Sequence, residues 1–208
     1  MEKKVKVFNL IIVDESGSMD FIREATISSF NELIQDYKQQ NKEFPEQEHY
    51  ITFLSFNSSG IKEYHIKDVV ENVAALNLNV YRPGGLTPLY DAIGHGISLQ
   101  EKMLVEGDLN RVEVTILTDG LENASKEYTH SMIKALIEAK KEAEWSFTYM
   151  GTDHDVEAVA RELNIEESIH FHKSAAGINE MRFKKSQSRY NKLEHYKEYY
   201  DKNNKDQQ

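Results

Sequence analysis

From Val5 to Val13 the chain reads VKVFNLIIV, a nearly continuous β-branched and apolar run. Such a run predicts a central strand covered on both faces. Past Met19 the period changes. Phe21, Ile22, Ala25, Ile27, Phe30, Leu33, Ile34 and Tyr37 recur at spacings of three and four, so the stretch to Gln40 reads as an amphipathic helix. Tyr50 to Phe56 (YITFLSF) returns to strand, and Asn57-Ser58-Ser59-Gly60 supplies turn chemistry into Ile61–Ile66. The pair reads as a hairpin, which makes one edge strand antiparallel. Residues 67–83 carry a weaker pattern, one helical turn and then an extended piece ending at Arg82-Pro83-Gly84-Gly85. A helix is expected from Pro88 to Val105, with Pro88 tolerated because the first helical turn has no internal N–H bond to lose. Further on, the pattern predicts a strand at Val112–Leu117, a helix at Ser125–Ala143, a strand at Trp145–Met150 and a short helix at Asp153–Leu163. A short strand at Ser168–Phe171 and a long polar helix over much of Ala175–Tyr200 complete the series, and residues 201–208 read as a frayed end.

Strands alternating with helices imply an α/β, three-layer, doubly wound fold. Its sheet is mostly parallel, of about six strands, with one antiparallel edge strand and helices on both faces. No internal repeat or linker interrupts the pattern, so residues 1–208 read as one domain, with a core of about 3–172 and a C-terminal helix of about 174–200. In such sheets ligands bind at the carboxyl ends of strands, near the point where strand order reverses. Two loops qualify, the one after Val13 and the one after Leu117. Each apolar run leads to an aspartate, Asp14 and Asp119.

Composition narrows the function classes. The 208 residues are enough to bury a three-layer core and contain no cysteine. That removes disulfides, thiolate metal sites and cysteine nucleophiles together, and suits a reducing, cytoplasmic setting. The opening MEKKVKVFNLIIVDES has the outline of a charged leader before an apolar run. The run is short and carries Lys6 and Asn9, so it reads as a strand and not a signal peptide. No apolar stretch has the length of a membrane span. The net charge of −10 argues against a nucleic-acid partner, which would need a concentrated basic surface. Charge is uneven, however, since residues 172–208 hold nine Lys and Arg against five Asp and Glu. That surplus fits either a solvated helix over an acidic body or a basic docking face.

The loop after the first strand reads Asp14-Glu15-Ser16-Gly17-Ser18-Met19, one carboxylate and two hydroxyls at alternate positions. Gly17 lets the backbone turn between the hydroxyls. Thr87, in Gly84-Gly85-Leu86-Thr87-Pro88-Leu89-Tyr90-Asp91-Ala92, offers a third hydroxyl, and Asp119, in Leu117-Thr118-Asp119-Gly120, a second carboxylate. Hard cations such as Mg²⁺ take oxygen ligands in near-octahedral order at about 2.1 Å and usually keep some waters. Each piece also has a plainer use. Ser16 and Ser18 could cap the helix that follows, Thr87 could cap the next one, and Asp119-Gly120 could be an ordinary turn.

Taken together, the Asp-x-Ser-x-Ser loop, the Gly-Gly-x-Thr-Pro-Leu-Tyr-Asp-Ala segment and the Thr-Asp-Gly at the fourth strand resemble the metal-ion-dependent adhesion site of von Willebrand factor A domains. The order of strands and helices matches over nearly the whole chain, in the manner of the stand-alone intracellular bacterial members. The resemblance implies that Ser16 and Ser18 coordinate one divalent cation directly, and that Thr87 does so directly or through water. Asp14 and Asp119 would act mainly through waters. Mg²⁺ is the implied ion, with Mn²⁺ or Ca²⁺ as substitutes. With few charged ligands the metal stays electrophilic, and a partner protein would complete its shell with a carboxylate.

Other residues carry weaker signals. Glu15, Asp91, Glu122 and Asn123 lie near the same loops as extra ligands, partner contacts or structural braces. His170 and His172 alternate on a strand, a spacing that can bind zinc, but no third ligand is evident. His95 and His154 read as structural, and Tyr190, Tyr196, Tyr199 and Tyr200 as the packing face of the last helix.

Three functions remain open. The first is a non-enzymatic, metal-dependent protein-binding module, an accessory or regulatory subunit of an intracellular complex. The second is a metal-dependent phosphatase using Asp14 as nucleophile. It lacks the second aspartate two residues on, where Ser16 stands. The third is a scaffold whose metal site is secondary. No Gly-x-Ser-x-Gly elbow and no dinucleotide glycine fingerprint occurs.

Overall fold

In the computed structural model, which describes residues 4–152 and 155–205, the central strand is β1, Val5–Asp14. It pairs in parallel with β2 (Gln47–Asn57) on one side and β4 (Leu109–Thr118) on the other. Two further strands extend the sheet past β4, β5 (Trp145–Gly151) and β6 (Glu167–His170), both parallel. On the opposite edge β3 (Gly60–Val69) returns from β2 as an antiparallel hairpin. The order is β3-β2-β1-β4-β5-β6, the mostly parallel sheet with one antiparallel edge that the sequence implies.

β1 is apolar at nearly every position because it has two buried faces. Leu10 and Ile12 point into a core shared with α2 (Leu89–Glu101), α3 (His130–Glu142) and α4 (Val156–Glu162), through Ile93, Ile97, Ile133, Ile137 and Val156. Ile11 and Val13 point the other way, into a core shared with α1 (Arg23–Glu43) and α5 (Ala175–Lys205), through Phe30, Leu33, Ile34, Ile178 and Met181. A third cluster joins the start of β1, at Val5 and Val7, to Phe44 and to Leu193, Tyr196 and Tyr200 of α5. Tyr190 packs edge-on against Phe44, so the tyrosines of the last helix pack inward, apart from the more exposed Tyr199.

Element boundaries moved for local reasons. The first helix begins at Arg23 because Gly17–Ile22 forms a tighter 3₁₀ turn. The expected helix at Ser125–Ala143 begins at His130. The backbone N–H groups of Lys126, Glu127 and Tyr128 donate instead to the Asp91 carboxylate at 2.8–2.9 Å, which holds that stretch in a loop. The helix from Pro88 stops at Glu101, short of Val105. In the weakly patterned stretch only Val70–Asn72 is helical, as a 3₁₀ turn. The last helix continues to Lys205, into the stretch expected to fray, while Asp153, His154 and residues 206–208 lie outside the described residues. No described helix is long and apolar enough to cross a membrane.

Candidate metal centre

β1 and β4 are neighbours, yet the chain leaves β1 towards α1 on one face and reaches β4 after α2 on the other. Their carboxyl ends therefore flank the point where strand order reverses, the place where such sheets form a crevice. Asp14 ends β1, and Asp119 directly follows β4.

Asp14 is fully buried and both of its oxygens are engaged. Oδ1 accepts the Ser16 backbone N–H at 2.7 Å and Oδ2 accepts the Thr118 hydroxyl at 2.7 Å. Burial pushes its carboxyl up to about 6, against the pull of the Thr118 and Ser16 hydrogen bonds and with the added push of the Asp119 charge. Tyr81, also buried, donates its hydroxyl to the Asp14 carbonyl at 2.6 Å.

The hydroxyls line up beside this carboxylate. Ser16 Oγ lies 3.2 Å from Ser18 Oγ, and Ser18 Oγ donates to Asp119 Oδ1 at 2.5 Å. Thr87 is held by a reciprocal pair of bonds, its N–H donating to Asn123 Oδ1 at 2.8 Å and its carbonyl accepting the Asn123 N–H at 3.1 Å. Two backbone bonds tie the Thr87 loop to the first loop, Gly17 N–H to Gly85 O at 3.0 Å and Gly84 N–H to Glu15 O at 2.9 Å. Gly85 makes this possible with φ of 78°, left-handed backbone that favours glycine. Opposite them is Gly120, where a Cβ would stand 3.6 Å from Thr87 Oγ1 and 3.8 Å from Ser18 Oγ. The absent side chain leaves a small cradle between the hydroxyls.

All five residues singled out in the sequence thus meet at one end of the sheet. The plainer uses do not hold for two of them. Ser16 precedes the 3₁₀ turn without a side-chain capping bond, and α2 begins after Pro88 with no side-chain cap, so neither Ser16 nor Thr87 is spent on a helix end. Among the described residues no group of three or more His, Asp or Glu side chains has a metal-holding arrangement. The donor set here is a different one, two carboxylates and three hydroxyls, all oxygen and two of them charged. Asp119 Oδ2 is buried and accepts no hydrogen bond, although Lys173 Nζ stands 3.0 Å away as an ion pair. A buried carboxylate beside a chain of hydroxyls makes an all-oxygen donor set, which fits a hard divalent cation.

The neighbouring polar residues act as braces. Glu15 turns away from the hydroxyls, pairing with Lys62 at 2.7 Å and accepting the Arg82 N–H at 2.5 Å and the Ser55 hydroxyl. Glu122 accepts the N–H groups of Tyr90, Ala124 and Ser125. Asp91 organises the loop before α3, and Asn123 fixes Thr87. His170 and His172 do lie together, with ring centroids 5.5 Å apart, and Glu180 lines the same hollow, but its carboxylate pairs with Lys184 at 2.8 Å. His95 pairs with Glu63 at 2.7 Å. Two further residues bear on the centre, Thr118 and Lys173. Thr118 belongs to the Thr-Asp-Gly motif, although its bond to Asp14 carries no signal of its own in the sequence. Lys173 carries none, because four secondary-structure elements separate it from Asp119 along the chain.

No protein-family model and no curated protein sequence matches the chain. Solved structures do. The PilB minor pilin from Streptococcus sanguinis superposes with a TM-score of 0.68 at 11% identity, over 93% of this chain and 63% of that one. The vWF domain of the type V pili tip protein Mfa5 from Porphyromonas gingivalis gives 0.60 at 10% identity, over 89% and 96%. The SpRpn10 VWA domain gives 0.58 at 9% identity, over 84% and 92%. The chain spans about two thirds or less of the pilin's length and nearly the whole of the two isolated domains. At these identities the likeness is one of fold, the von Willebrand factor A-like α/β fold.

Proposed function

We propose that this chain is a non-enzymatic, divalent-metal-dependent protein-binding module. Asp14, Ser16, Ser18, Thr87 and Asp119 would hold one cation, Mg²⁺ by preference, and a partner protein would supply a carboxylate. The observation that carries this reading is the convergence of the Ser16, Ser18 and Thr87 hydroxyls on one cradle beside the buried Asp119 carboxylate.

The bound cation would supply an electrophilic centre. The rest is done by the chain. Ser16 and Ser18 present hydroxyl oxygens from one tight loop, and Thr87 a third from a loop bonded to it. Asp14 and Asp119 balance the charge from behind. Asp14 is poorly placed to act as a nucleophile, because both of its oxygens are occupied and no part of it is exposed. That favours binding over phosphoryl transfer. The fold is one that serves interaction in many settings, so the partner is argued from the site and not from the fold. The absence of cysteine suits a cytoplasmic accessory or regulatory subunit, while the PilB and Mfa5 neighbours are pilus proteins by name.

The test is calorimetric titration of Mn²⁺ into the protein, beside Asp14→Ala and Thr87→Ala. One saturable site is expected, lost or weakened at least about tenfold in each variant, in line with losing one group from a small ligand set. Equal binding by all three proteins would show that the ion sits elsewhere. No binding by the unaltered chain, with or without added carboxylate, would end the metal reading.

A further inference from the structure

Three large apolar side chains face solvent on the loops that form the centre. Phe21, Leu86 and Leu121 are 81%, 55% and 55% exposed. Phe21 stands three residues after Ser18, Leu86 directly before Thr87, and Leu121 two residues after Asp119. Phe21 belongs to the 3₁₀ turn Gly17–Ile22, where Met19 and Ile22, one turn apart, are buried and leave Phe21 outside, although spacing alone groups it with the apolar face of the first helix. Leu86 is bonded to Ser58 both ways, its N–H donating to Ser58 Oγ and its carbonyl accepting the Ser58 N–H, each at 3.0 Å. Two hollows flank the cradle. One, of about 890 Å³, lies among Phe21, Leu78, Ala25 and Ala175, over the sheet face that carries α1 and α5. The other, of about 580 Å³, is lined by Leu86 and Pro88 on either side of Thr87, together with Ile61 and Ala124, over the face that carries α2 and α3. Single apolar side chains on a surface are ordinary, but several gathered about one polar point mark a place of contact.

We propose that the partner presents its carboxylate on an extended segment with a large apolar side chain two residues to either side, and that these side chains seat in the two hollows, against Phe21 and Leu86. The inference rests on the metal reading above and names the chemistry of the partner. Charge selects the acid, because a cation at the base of the centre takes an anion. The walls select its neighbours. An exposed pair of opposite charges gains little in water, where each is already hydrated. Apolar side chains that close round the cation and the acid exclude that water, and the attraction strengthens as the local dielectric falls. Burial of the partner's own apolar side chains adds to it. The spacing follows from the position of the hollows on opposite sides of the cradle. In an extended segment alternate side chains share a face, so the acid points at the centre together with the residues two before and two after it, each about 7 Å along the chain.

Three short peptides, dye-labelled at the amino end and amidated at the other, serve as probes: Leu-Ser-Glu-Ser-Phe, Ala-Ser-Glu-Ser-Ala and Leu-Ser-Gln-Ser-Phe. Fluorescence anisotropy measures their binding in Mg²⁺ and in chelator. In Mg²⁺ the first should bind at least about tenfold more tightly than the second, the lower end of what burying two such side chains brings. Chelator, and the change of glutamate to glutamine, should each abolish binding. Phe21→Ser and Leu86→Ser should each cut the advantage of the first peptide at least about threefold. Both side chains are exposed, so the two variants should fold and take up Mn²⁺ like wild type, which calorimetric titration checks. Equal binding of the two glutamate peptides, an advantage unchanged in both variants, binding that survives the chelator, or no binding of any peptide at millimolar concentration overturns the inference. In each of these cases a saturable Mn²⁺ site in the unaltered chain leaves the metal reading standing. An unaltered chain that takes up no Mn²⁺ removes both.

Discussion

A single hydroxyl decides how Asp14 is held. Thr118 Oγ1 donates to Asp14 Oδ2 at 2.7 Å in a place without solvent, and burial already pushes that carboxyl up to about 6. Thr118→Val keeps the shape and removes the donor, which leaves a buried carboxylate oxygen unsatisfied. The expected cost is about 1–3 kcal/mol of stability. Urea denaturation in the presence of a chelator measures it, and the same variant should weaken Mn²⁺ binding because Asp14 is no longer aimed. A variant as stable as wild type would mean that water replaces the hydroxyl. This scale also shows where sequence reading stops. Asp14, Ser16, Ser18, Thr87 and Asp119 were legible because each sits in a short motif with its own local grammar. Thr118 and Asn123 lie in or near those motifs, but their bonds to Asp14 and Thr87 are made only in the folded chain, and no local pattern marks Lys173.

α5 is the element whose sequence is least like its role. Its basic surplus reads as a solvated or docking face, but much of that charge points inward or is paired. Lys185 and Arg189 are buried. Lys185 Nζ donates to Thr148 Oγ1 at 3.0 Å, Arg189 bonds Asn9, Gln40 and His49, and Lys192 pairs with Glu167 at 2.7 Å. The Arg189 guanidinium also lies 4.0 Å from the centre of the Tyr37 ring. A helix that buries cations against a sheet shows little amphipathic period, so spacing marks its tyrosines as a packing face but not the buried Lys185 and Arg189. Arg189→Ala should therefore cost about 3–5 kcal/mol, as when one partner of a buried charged network is removed. A loss below 1 kcal/mol, measured by urea denaturation, would mean that the helix docks without it.

The same contact sets a pH dependence. Burial, and then the nearby Arg189 charge, hold His49 down at about 2, far below its ordinary 6.5. His49 Nδ1 faces Arg189 Nη2 at 2.8 Å and Nε2 faces Gln47 Oε1 at 3.2 Å, which suits the neutral ring with its proton on Nε2. The unfolded chain takes up a proton near pH 6.5 and the folded one does not. The contribution is thus complete above about pH 6.5 and falls as the pH drops from there towards 2. The slope from this residue approaches about 1.4 kcal/mol per pH unit. Unfolding free energies measured across pH 7 to 5 should fall less steeply for His49→Gln than for wild type. Parallel curves would place the acid sensitivity in the carboxylates instead.

Across the whole molecule the two faces of the sheet differ in kind. The face under α2, α3 and α4 is a continuous apolar core, and the alternation of strands and helices that builds it was plain in the sequence. The face under α1 and α5 mixes apolar packing with the buried network around Arg189 and Lys185, and its details were hidden. Among the described residues the candidate metal centre meets the entry of α5 through Lys173, two residues before that helix. The far end of α5 is fixed by Leu193, Tyr196 and Tyr200 against Val5, Val7 and Phe44. A change at the centre should therefore reach the entry of α5 and stop before its apolar anchor. Hydrogen exchange with and without Mn²⁺ and acetate should show altered protection over residues 171–178 and unchanged protection over residues 190–200. Altered protection along the full helix would mean that α5 moves as one rod. Unchanged protection at its entry would mean that the ion pair with Asp119 transmits nothing, and that the centre and the helix are independent parts of the fold.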